Sequence, residues 1–79
     1  MARKRKLANI VGPQLRRLRQ RAGLTQEALA ARCQLAGFDI SRGTLSQIEA
    51  QLRCVIDEEV VLLAKTLRVS PHDLLAGKR

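Results

Sequence analysis

Gly23-Leu24-Thr25-Gln26-Glu27-Ala28-Leu29-Ala30 and, ten residues on, Ser41-Arg42-Gly43-Thr44-Leu45-Ser46-Gln47-Ile48-Glu49 are the stretches from which the fold is read. Thr25 and Ser41 carry hydroxyls able to accept a hydrogen bond from an orphan backbone N–H, so each is a strong N-cap. Gln26 to Cys33 continues in good helix formers, with Ala28, Leu29, Ala30 and Cys33 as its apolar members. After Ser41, the residues Leu45, Ile48 and Leu52 mark the buried stripe of a further helix. Between the two, Gln34 to Ile40 contains Gly37 and Asp39, breaks the pattern and reads as a connection of seven residues. Burying Leu45, Ile48 and Leu52 turns Arg42, Gly43, Ser46, Gln47 and Ala50 to the opposite face of that helix.

Toward the N-terminus, Val11, Leu15, Leu18 and Ala22 recur at spacings of four, three and four, which predicts a helix ended by Gly23. Pro13 falls in its first turn, where a missing N–H costs nothing. Toward the C-terminus, Asp57 reads as the cap of a fourth helix, with Glu58 and Glu59 at its positive dipole end and Val60, Leu63, Ala64 and Leu67 facing inward. Ser70 and Asp73 form a capping-box-like pair with Pro71 at the first helical position, so a short fifth helix carries Leu74 and Leu75 and stops at Gly77. The expectation is an all-α chain with five short helices and no strand. Residues 1–8 read as a basic arm, 9–77 as the folded domain and 78–79 as a tail.

Composition narrows what such a domain does. Seventy-nine residues suffice for one small core and leave no room for a second domain. Fifteen Lys and Arg stand against seven Asp and Glu, and residues 1–23 hold eight basic side chains and no acidic one. A field this one-sided suits a polyanion. The lone aromatic residue, Phe38, argues against stacking platforms for single-stranded nucleic acid. Cys33 and Cys54 lie far apart and His72 is the single histidine, so no four-ligand zinc set exists; both thiols read as reduced and buried. The Arg3 to Val11 stretch only faintly mimics a signal peptide, because Gly12, Pro13 and arginines interrupt its apolar part. The expected setting is cytoplasmic and nucleoid-associated, with no membrane partner.

The two opening motifs, together with Val69-Ser70-Pro71-His72-Asp73-Leu74-Leu75, resemble the Xre/Cro-type helix-turn-helix family of phage and bacterial repressors. The resemblance covers residues 10 to 77, with the three motifs in the family's order and at nearly its spacing. It implies a compact five-helix, lambda-repressor-like DNA-binding domain whose third helix, residues 42–51, enters the major groove of double-stranded DNA. It departs from the family at Gly43, where a base-reading side chain is common, and in the long connection 34–40.

Within that frame Arg42, Ser46 and Gln47 are the candidate base contacts. Arg42 can fork onto guanine O6 and N7, and Gln47 can pair with adenine N6 and N7; the competing reading for each is a phosphate contact or a solvated side chain. Gln26, Ser41, Thr44, Gln51 and Arg53 are the candidate backbone contacts, Gln26 because the family holds a phosphate there at a helix N-terminus. Arg3, Lys4, Arg5 and Lys6 add phosphate attraction, with minor-groove insertion as the alternative. A carboxylate at Glu49 would repel DNA, and the resemblance implies that Arg19 neutralises it in a structural ion pair.

An enzyme fails on inventory, since His72 has no nucleophile partner and no phosphate-binding Gly-rich loop is present. The functional expectation is therefore a transcriptional regulator, a repressor on a partly palindromic operator, working as a homodimer without cofactor, metal or small ligand. Leu62, Leu74 and Leu75 are the candidate interface. The rival is an antitoxin or anti-repressor that uses the same fold to hold a protein.

Overall fold

The structure is a computed structural model and describes residues 7–76. The expected arm contacts Arg3, Lys4, Arg5 and Lys6, the helix stop at Gly77 and the 78–79 tail lie outside the described residues. Five helices follow one another: α1 (Gly12–Arg21), α2 (Gln26–Leu35), α3 (Arg42–Glu49), α4 (Asp57–Leu67) and α5 (Pro71–Leu75), with no strand among the described residues. The order and type are those the periodicity predicts.

Each helix starts on a side-chain oxygen: a hydroxyl at α2, α3 and α5, a carboxylate at α4 and an amide at α1. Thr25 and Ser41 accept from the N–H groups of Ala28 and Thr44, as their N-cap positions require. Ser70 and Asp73 complete a reciprocal box at α5. One start differs from expectation, and for one the sequence assigns no cap. Ile56, not Asp57, is the cap residue of α4; it offers no acceptor, and Glu59 instead reaches back to its N–H at 3.2 Å. At α1 the cap position is Val11, and the acceptor comes from upstream, where Asn9 Oδ1 takes the Gly12 N–H at 2.8 Å.

The ends of α1 to α4 share one device. The chain turns into the left-handed region two residues past the end of α1, α2 and α3 and one residue past the end of α4, and two N–H groups reach back to the final carbonyls, as in Leu24 to Arg19 and Phe38 to Cys33. Gly23 (φ 75°) and Gly37 (φ 92°) make that turn for α1 and α2, where an L side chain would be strained. Gln51 (φ 64°) and Arg68 (φ 61°) make it for α3 and α4. The third helix therefore ends at Glu49, short of the expected 51, and Leu52 is left 59% exposed rather than on the buried stripe.

The core is one hydrophobic cluster fed by every helix, with Leu15, Leu29, Cys33, Leu45, Ile48 and Leu63 fully sealed. α2 packs on α3 and α4, while α1 packs on α3 and α5, and α4 on α5. Further expectations change here. α2 runs two residues past Cys33, which shortens the connection to residues 36–41, and Phe38 and Ile40 in it are buried. Ala22 is exposed and Cys54 is exposed. The core absorbs Leu74 completely and takes Leu62 against its edge, so of the three candidate interface leucines only Leu75 remains mostly outside.

Candidate nucleic-acid interface

Ser41 spends its hydroxyl on the Thr44 N–H and lies 3.0 Å from the Thr44 hydroxyl, so these two expected backbone contacts are paired at the mouth of α3. Behind them Leu45 and Ile48 anchor the helix in the core, which leaves Arg42, Gly43 and Gln47 exposed and Ser46 half-buried along the outer face. Gly43 is not imposed by crowding: a Cβ there would meet only the Ser41 Oγ, at 3.8 Å. The face thus presents a fork, a carboxamide and a hydroxyl on a rigid scaffold, with a bare backbone step between them.

Arg19 and Glu49 form a buried bidentate pair, Nε to Oε2 at 2.6 Å and Nη2 to Oε1 at 3.1 Å. The remaining Arg19 amine donates to the Leu24 carbonyl at 2.8 Å, so α1, its terminal turn and α3 are tied by one guanidinium. Gln26, the first residue of α2, donates to Glu49 Oε1 at 3.0 Å, and Arg42 Nη1 donates to the Gln26 side-chain oxygen Oε1 at 3.4 Å. A chain of polar contacts therefore runs from the α1–α3 seam to the first residue of α3. It holds the Glu49 charge away from the open face and sets the Gln26 amide beside Arg42.

Gln51 and Arg53, expected beside a DNA backbone, are half-buried and hydrogen-bonded within the chain. Gln51 donates to the Asn9 carbonyl at 3.0 Å, and its own carbonyl accepts from Ala8 at 3.1 Å. Arg53 grips both Glu59 oxygens at 3.1 Å and the Cys54 carbonyl at 3.0 Å. Its grip pulls the Glu59 carboxyl below the usual range, helped by the Ile56 N–H and opposed by partial burial. Two residues that position α3 carry no local signal. Asn9 donates to the Ile48 and Arg53 carbonyls at 3.1 and 2.8 Å, stitching the start of α1 to the end of α3. Gly12 lies so close to α3 that a Cβ would sit 2.5 Å from the Ile48 oxygen and 2.8 Å from that of Glu49.

Helix, capped connection and outward-facing second helix, with α2 packed against α3 under a shared core, define a helix-turn-helix unit. The family model described as a helix-turn-helix domain matches residues 10–76, and the chain belongs to that family. Comparisons with curated proteins and with solved structures found no match. Among the described residues no helix is long and apolar enough to cross a membrane.

Proposed function

We propose that the chain binds double-stranded DNA sequence-specifically as a transcriptional regulator of the Xre/Cro type, with α3 in the major groove. The observation that carries this reading is the outer face of α3, where Arg42 and Gln47 stand exposed above the sealed Leu45 and Ile48. Arg42 forks onto guanine and Gln47 pairs with adenine, each contact discriminating by about 1–3 kcal/mol, while Ser46 takes either partner. The Ser41–Thr44 cap and Gln26 at the start of α2 meet phosphates and fix the helix in register. A formal net charge of +8 supplies the nonspecific attraction, to which Arg3, Lys4, Arg5 and Lys6 contribute. The regulator acts as a repressor by covering a partly palindromic operator as a homodimer, with half-site centres about 34 Å apart.

Selection of bound duplexes from a random pool at physiological salt, comparing the native chain with Gln47→Ala, tests this. An enriched motif of two related half-sites, blurred at one position by the substitution, is the expected result. Binding without any enriched motif overturns it and favours a protein-interaction module of the antitoxin or anti-repressor kind. The exposed Leu52 and Ile56 would be the first place to seek such a partner.

A further inference from the structure

Gly12, Arg16 and Gln20 stand four apart on α1 and so form one row along its surface. The first of them marks where α1 touches the backbone of α3. One turn further on, Arg16 is carried along the flank of α3, and it lines both clefts that border Glu49. One, of about 260 Å³, is shared with Arg19, Gln26, Ser46, Glu49 and Ala50; the other, of about 320 Å³, opens toward Pro13, Arg17 and Gln20. In the first cleft Arg19 and Glu49 cancel each other, because one guanidinium holds both carboxylate oxygens. Arg16 is exposed and belongs to neither ion pair found among the described residues. The cleft therefore carries one uncompensated positive charge where Ser46 and Ala50 of α3 meet solvent.

We infer that Arg16 is a phosphate-contacting residue: it holds the DNA strand that borders the groove occupied by α3, and so sets how that helix is seated. The inference rests on the reading of α3 as the groove-entering helix. Three features support a phosphate rather than a base as its target. Arg16 comes from α1 and not from α3, it lies beside the half-buried Ser46 rather than beyond the outer face, and its cleft includes Gln26 at the N-terminus of α2, whose dipole favours an anion. The competing role is electrostatic support of α3, which has no basic residue in its own last turn. That role would affect folding and leave the salt dependence of DNA binding untouched.

The test measures duplex binding against salt concentration for the native chain, Arg16→Gln and Arg16→Lys, on the duplex enriched by selection and on one of unrelated sequence. Arg16→Gln is expected to weaken both duplexes about tenfold. It is also expected to reduce the slope of log affinity against log salt by about 1. Arg16→Lys, which keeps the point charge, is expected to keep the slope. A native slope in Arg16→Gln overturns the inference, and so does a loss confined to the enriched duplex, which would indicate base contact. If the native chain binds no duplex, the reading of α3 fails and the inference with it. If native binding is intact and sensitive to Gln47→Ala while Arg16→Gln behaves as native, the inference alone fails.

Discussion

Arg68 and Gln51 perform the same backbone task at the ends of α4 and α3, yet only one of them has a reason to be other than glycine. Holding an L residue in the left-handed region costs roughly 1–2 kcal/mol; glycine removes that strain but loses about 0.5–1 kcal/mol to its freer unfolded chain. The Arg68 side chain is exposed and belongs to neither ion pair found among the described residues, so Arg68→Gly is expected to stabilise the fold by about 0.5–1 kcal/mol. For a domain of this size that raises the melting temperature by about 4 °C. Gln51→Gly relieves the same strain but forfeits the amide bond to the Asn9 carbonyl, worth about 1 kcal/mol, and is expected to leave the melting temperature near native. Thermal unfolding of the two variants checks this. Equal gains would mean that the Gln51 side chain contributes nothing to seating the N-terminal segment on α3.

The two glycines that bracket the α1–α3 relationship give opposite expectations for one substitution. Gly12→Ala drives a methyl into the carbonyls of Ile48 and Glu49, which are backbone atoms and cannot rotate aside, so α1 must move off α3. A loss of about 1–3 kcal/mol in urea unfolding is expected. Gly43→Ala enters open space on the outer face of α3 and is expected to stabilise by about 0.5–1 kcal/mol, the ordinary gain of alanine over glycine within a helix. If both behave alike, the close approach of α1 to α3 is not what holds the outer face in place. These contrasts also show what the sequence makes legible at the level of elements. Leu15 with Leu18, Leu45 with Ile48, and Val60 with Leu63 and Leu67 announce their helices by spacing alone, and the exposed face of α3 follows from the same pattern. Phe38 and Ile40 enter the core from a connection with no period, so nothing local marks them as buried. Leu52 is misplaced by its spacing because Gln51, lacking the glycine signal, turns the chain out of the helix first. Within the candidate site, the commitment of Gln51 to Asn9 is made between residues 42 apart in sequence. That of Arg53 to Glu59 depends on how the α3–α4 connection folds back. Periodicity is blind to both.

At the scale of the whole molecule, one core fed by five short helices implies that no helix can open without exposing the rest, and the two thiols provide a direct reading of that cooperativity. Cys54 is exposed on the connection between α3 and α4, whereas Cys33 is fully sealed between α2 and α4. Burial pushes the Cys33 thiol above its ordinary range, against a smaller opposing hydrogen bond with Thr66, so the reactive thiolate is disfavoured as well as inaccessible. In native protein, a soluble aromatic disulfide reagent is expected to modify one thiol per chain at once, and the second only through unfolding; in denaturant both react together. The slow rate then follows the population of the open state, and each 1 kcal/mol of stability changes it about fivefold. Arg68→Gly and Gly43→Ala should slow it, and Gly12→Ala should quicken it, although none of the three touches Cys33. If the slow rate ignores all three substitutions, α2 opens on its own, and the scaffold behind Gln26 and the polar chain to Arg42 is not held by the whole core.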